Sequence, residues 1–138
     1  MSKNLNKKEI EKFSRQIILK NIGAIGQKKI STSKILIIGM GGLGCPVAEF
    51  LTRSGIGTIG IVDHDIVDLS NIHRQSLYDE EDISKLKVKI AKMKLNKINS
   101  KTIAKKYTFW HVLVSAIPAI PEISGISGIS RISGISGI

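Results

Sequence analysis

K-I-L-I-I-G-M-G-G-L-G-C-P-V-A-E-F-L-T-R-S-G-I-G-T-I-G-I-V-D-H-D, residues 34–65, decides the fold. An apolar run from Ile35 to Ile38 meets four glycines, Gly39, Gly41, Gly42 and Gly44. Val47, Phe50 and Leu51 then recur at helical spacing, Pro46 suits the first turn of that helix, and Gly55 suits its end. A second apolar run, Ile59 to Val62, closes on Asp63-His64-Asp65. The order is strand, tight turn, helix, strand. The first strand is apolar throughout, the pattern of a parallel strand covered on both faces. Glycines at such a turn let the backbone approach a phosphate. The helix that follows offers unpaired N–H groups and the positive end of its dipole. An acidic residue about 20 positions on suits a ribose hydroxyl. The stretch predicts an α/β, Rossmann-like parallel sheet that binds a nucleotide.

Composition narrows the rest. A chain of 138 residues, 42% hydrophobic, supports one small domain with one core. The net charge of +10 comes from 21 Lys+Arg against 11 Asp+Glu, with the excess concentrated in Lys3 to Lys12 and Lys85 to Lys106. Aromatic residues make up only 4%, which leaves few platforms for stacking bases, and no nucleic-acid recognition motif is present. A solvated lysine face is the expectation, with no nucleic acid. No apolar run is long enough for a membrane span. The polar, Lys-rich start is no secretory leader, and the single cysteine, Cys45, allows no internal disulfide. These features predict a cytoplasmic setting.

Outward from the central stretch, Ile10, Phe13 and Ile17 mark a helix that Asn6 can cap. Gly23 and Gly26 break the chain before a short helix over Gln27 to Ser31. On the other side, residues 66–78 (I-V-D-L-S-N-I-H-R-Q-S-L-Y) read as a polar loop. Val88, Ala91, Leu95 and Ile98 give Ser84 to Ile98 a helical stripe, and Thr102 to Trp110 is a candidate third strand. An apolar segment with prolines follows, then an Ile-Ser-Gly repeat from Glu122 to Ile138 broken by Arg131, expected to be a disordered low-complexity tail. The predicted organisation is a helical segment over 1–30, a partial nucleotide-binding domain over 31–106 and an unrelated tail over 107–138.

Five motifs taken together resemble the ThiF/HesA/MoeB family, the bacterial relatives of ubiquitin-activating enzymes. They are F-S-R-Q-I-I-L at 13–19, G-M-G-G-L-G at 39–44, V-D-H-D at 62–65, L-S-N-I-H-R-Q at 69–75 and K-L-K-V at 85–88. The resemblance spans about residues 13–99. It implies an ATP- and magnesium-dependent adenylyltransferase that activates the C-terminal carboxylate of a ubiquitin-like sulfur-carrier protein. It also implies roles for residues. Gly39, Gly41, Gly42 and Gly44 lay the backbone against the nucleotide, and Asp63 takes the ribose hydroxyls. Asp65, Ser70 and Gln75 line the site. Asn71 and Arg74 approach the phosphates, Arg74 carrying transition-state charge, and Lys87 is a second phosphate cation. Arg15 reaches into a partner subunit's site, which implies a homodimer.

Each residue also has a plainer reading. Arg74 and Lys87 can be surface cations, Asp65 a loop cap, Arg15 one half of a local ion pair, and Cys45 a small group packed behind the turn. His64, His73 and His111 are given no role. The family's magnesium-binding aspartate, its Cys-x-x-Cys zinc pairs and its later cysteine have no counterpart here. The chain therefore reads as a truncated form, expected to be inactive alone in pyrophosphate exchange. Two other functions fit the glycine turn: an NAD-binding oxidoreductase domain, and a non-catalytic half-domain that binds a full-length relative.

Overall fold

The computed structural model describes residues 5–107. The Ile-Ser-Gly repeat and the last part of the expected third strand lie outside them. The elements are α1 (Lys7–Lys12), α2 (Ser14–Ile17), α3 (Gly23–Thr32), β1 (Lys34–Ile38), α4 (Gly44–Arg53), β2 (Thr58–Val62), α5 (Lys87–Ile98) and β3 (Ile103–Tyr107). Single 3-10 turns stand at Leu69–Asn71 and Glu80–Asp82. The strands form one parallel sheet in the order β1-β2-β3, with Ile35 beside Ile59 and Ile59 beside Ala104.

Alternation along the strands places Ile35, Ile37, Ile59, Ile61 and Ala104 on one face. Helices α4 and α5 pack there and on each other, and with Met40, Cys45, Ala48, Ala91 and Leu95 they build the core. The opposite face of β1 is less covered than its apolar run predicts: Leu36 is 48% and Ile38 67% exposed. Among the described residues no helix is long and apolar enough to cross a membrane.

Several boundaries differ from the sequence reading for local reasons. Asn6 caps α1 as expected, in a reciprocal box with Glu9. The helix then breaks at Phe13, which is buried beneath Gly55. Gly26 lies inside α3 rather than breaking the chain. The loop after β2 is not polar throughout, since Val67, Leu77 and Tyr78 enter the core.

Candidate functional site

The site lies at the C-terminal end of β1 and β2, where the glycine turn meets the segment after β2. Gly39 has φ of +90°, a backbone conformation open to glycine at little cost, and its N–H donates to the Val62 carbonyl at 2.7 Å. A Cβ on Gly44 would stand 1.9 Å from the Gly39 carbonyl oxygen, so the turn closes as tightly as it does only with glycine there. The N–H groups of Gly41 and Gly42 have no acceptor among the described residues, and they precede the first turn of α4. That arrangement suits an anion.

Asp63 is bound into the turn. Its Oδ2 accepts from the Met40 N–H at 2.6 Å and its Oδ1 from the Asp65 N–H at 2.8 Å. The carboxylate is thereby held beside the glycines, at the end of β2. Asp65 accepts from Lys87 Nζ at 3.0 Å, and its carbonyl accepts from the Lys87 N–H at 3.0 Å. Lys87 is 5% exposed and is the buried lysine among the described residues, which sets it apart from the more exposed lysines of α5. Its ammonium holds the Asp65 carboxyl below the usual carboxylate range, first through the hydrogen bond and then through its charge.

Across the turn, the stem of Arg74 lies against Gly42, with Cγ and Cδ at 3.8 and 3.9 Å from where a Cβ would stand. Its Nη1 donates to the Ser70 carbonyl at 2.6 Å and lies 2.9 Å from His73 Nε2. Asn71 is used locally: it completes a capping box with Asp68, whose Oδ1 accepts from the Ser70 N–H. That hydrogen bonding at Ser70 lowers the pKa of Asp68. Gln75 is 3% exposed, its Nε2 stands 3.9 Å from a Cβ built on Gly41, and its Oε1 has no hydrogen-bond partner among the described residues.

The structure thus brings together Gly39, Gly41, Gly42, Gly44, Asp63, Asp65, Ser70, Asn71, Arg74, Gln75 and Lys87. It does not bring Arg15 to them. Arg15 lies on α2, whose Gln16 reaches the Ser54 carbonyl after the end of α4, at the N-terminal end of the strands. A cleft of about 580 Å³ also lies at that far end, lined by Lys8, Lys12, Phe13, Lys97 and Lys101. The glycine turn, at the C-terminal end of the strands, lies away from that cleft.

Cys45 is fully buried, and burial raises its thiol pKa, so its place is in the packing behind the turn. Met40 and Tyr78 escaped the sequence reading although both shape the turn. Asp68 could have been found, because Asp-Leu-Ser-Asn carries a capping pattern. Asp63, His64 and Asp65 have ligand atoms within 4.8 Å of one another. Both carboxylates are already engaged. Asp63 is committed to two backbone N–H groups and Asp65 to Lys87. A nucleotide does fit the unpartnered N–H groups and the two cations.

The ThiF family model matches residues 13–126, running past Asn99, the limit set by the sequence motifs. The chain is 46% identical over 99 residues to the adenylyltransferase and sulfurtransferase uba4 of Ogataea parapolymorpha, covering 72% of this chain and 25% of that protein. It is 49% identical over 96 residues to the adenylyltransferase and sulfurtransferase MOCS3 of Aedes aegypti, covering 70% and 22%. The chain spans about a quarter of the length of these curated relatives. Among solved structures, PaaA superposes with a TM-score of 0.70 at 37% identity, over 78% of this chain and 35% of that one. E. coli MccB with ATP superposes with a TM-score of 0.65 at 33% identity, over 74% and 31%.

Proposed function

The chain belongs to the ThiF family, and from that membership we propose that it is the nucleotide-binding part of an ATP-dependent adenylyltransferase acting on the C-terminal carboxylate of a ubiquitin-like sulfur-carrier protein. One observation carries the reading. Arg74 lies over Gly42 on one side of the turn, while Lys87 lies buried against Asp65, two residues from Asp63, on the other. A glycine turn alone suits NAD as well as ATP. An arginine whose stem packs on the turn and a buried lysine beside the end of β2 suit a triphosphate. The names of the uba4 and MOCS3 relatives, and the ATP held by MccB, support the same choice.

In this reading an oxygen of the carrier's carboxylate attacks the α-phosphorus. A new O–P bond forms as the bond to the bridging oxygen of pyrophosphate breaks, giving an acyl-adenylate and free pyrophosphate. The Gly41 and Gly42 N–H groups and the Lys87 ammonium hold the phosphates in line, and Asp63 holds the ribose. Arg74, on a stem already packed against the turn, shares the charge that grows on the phosphoryl oxygens. Magnesium belongs to this reaction class, and no step is assigned to it here. Arg15, at the far end of the sheet, serves a second copy's site in this reading, within a homodimer.

Calorimetry on the full chain tests it. ATP is expected to bind more tightly than NAD. Arg74→Ala should weaken ATP binding by about tenfold to a hundredfold, the worth of a hydrogen bond to a charged group. The ligand-free melting temperature should not move. Tighter binding of NAD, or ATP binding indifferent to Arg74, would overturn the proposal. The acceptor half is read separately, as binding of a carrier protein ending in Gly-Gly, with the same carrier lacking that end as the control.

A further inference from the structure

The backbone of Met40 is fixed on both sides. Its N–H donates to Asp63. Its carbonyl oxygen accepts from Tyr78 Oη at 3.0 Å and from Cys45 Sγ at 3.3 Å. Met40 is fully buried and Tyr78 is 4% exposed, so these bonds are shielded from water. A trans peptide is planar, with its C=O and the following N–H on opposite sides. A Met40 carbonyl turned inward onto Tyr78 and Cys45 therefore turns the Gly41 N–H outward, to the open side of the turn. There it has no acceptor among the described residues.

Tyr78 also reaches the other wall of the cradle. Its Oη lies 3.5 Å from the carbonyl oxygen of Lys87. A hydroxyl has one proton, so the bond to Met40 is the principal one and that to Lys87 the weaker branch. The phenol thus touches both the turn and the residue that supplies the buried ammonium. Burial pushes its pKa far above the ordinary tyrosine value, so it is a proton donor at any working pH.

We propose that Tyr78 is a positioning residue of the nucleotide site, its hydroxyl holding the Met40–Gly41 peptide so that the Gly41 N–H faces the phosphates. The inference rests on the nucleotide reading above. It adds a residue outside the glycine, Asp63, Arg74 and Lys87 set, one that acts without touching the ligand.

Tyr78→Phe keeps the ring and removes the hydroxyl. In the full chain, affinity for ATP and for inorganic triphosphate should fall together, by roughly threefold to tenfold. Affinity for adenosine, which does not use the Gly41 N–H, should be unchanged. A merely structural role would lower all three alike, and that result would overturn the proposal. The second readout needs no ligand. The amide resonance of Gly41 should shift or broaden in Tyr78→Phe, while that of Gly55, at the other end of α4, stays in place. An unmoved Gly41 signal overturns the proposal whether or not ATP binds. Absence of ATP binding in the wild type overturns the nucleotide reading instead, and the Gly41 signal still decides whether the hydroxyl holds the peptide. If Tyr78→Phe does not fold, fluorotyrosine at position 78 keeps the ring and makes the hydroxyl a stronger donor; the Gly41 resonance should then move, and an unmoved one overturns the proposal.

Discussion

Lys87 and Asp65 show what a single contact does to two ordinary residues. In the sequence Lys87 is one lysine among many, and motif position alone marks it. In the structure it is 5% exposed with a carboxylate at 3.0 Å, an arrangement created by a residue 22 positions away. Asp65→Asn would leave that ammonium without a charged partner. Because Asp65 is about half exposed, solvent screens the pair, and the expected loss is about 1–2 kcal/mol in urea unfolding. The sign with pH follows from the depressed Asp65 pKa. The contribution is complete above the ordinary carboxylate value of 3.8 and is lost as the pH falls from there through the lower folded value. The stability gap between wild type and Asp65→Asn should be flat at neutral pH and close in acid; a gap that widens in acid contradicts the pairing. Gly42 gives a second test at this scale. A Cβ there would meet Arg74 at ordinary contact distances of 3.7–3.9 Å. Gly42→Ala should therefore change folding stability by less than about 0.5 kcal/mol. Under the proposed function it should weaken ATP binding nonetheless, since the methyl comes between the turn and Arg74.

Elements with strong local signals could be read directly from the sequence. The strands β1 and β2 fall where their apolar runs stand, because short runs such as residues 35–38 and 59–62, bounded by polar residues and glycines, have few alternatives. The stripe of α5 is equally plain, but its start is not. The helix begins at Lys87 rather than Ser84, and Ser84 has φ of +66°. The cause is distant. Ser84 N–H donates to the Val67 carbonyl, Val67 N–H to the Lys85 carbonyl, and Ile66 bridges Leu86. This pairing pulls three residues out of the helix and aims Lys87 at the cradle, and no periodicity within 84–98 reports it. Tyr78 was missed for the same reason, its partner Met40 being 38 positions away. The junction of β1 and α4 is the least forgiving of these elements. Gly44→Ala drives a methyl to 1.9 Å from a backbone oxygen that cannot swing aside, so it should cost about 3 kcal/mol or more, against almost nothing for Gly42→Ala. Equal urea midpoints for the two variants would mean that the turn is looser than described.

At the scale of the molecule, the described sheet is packed mainly on one side, although Gly60 and Val62 of the central strand are buried on the other. Helices α4 and α5 cover the face that carries Ile37 and Ile61, while Leu36, Ile38 and Ile103 on the other face are 48%, 67% and 56% exposed. The apolar run of β1 predicts cover on both faces, as in a doubly wound sheet. A pair of lysine substitutions separates the two pictures. Ile61 is fully buried, so Ile61→Lys places an unpaired ammonium in the core and should unfold the chain, a loss of about 4 kcal/mol or more. Ile38 sits directly beside Val62 in the sheet register, yet most of its surface is open. If that face meets water in the full chain, Ile38→Lys should shift the melt by the equivalent of less than about 0.5 kcal/mol. A loss approaching that of Ile61→Lys would mean that another layer covers β1 in solution, the arrangement its unbroken apolar sequence predicts. Truncation after residue 107 then distinguishes a layer supplied by the rest of this chain from one supplied by a second copy. In the first case the penalty of Ile38→Lys disappears with the truncation, and in the second it follows protein concentration.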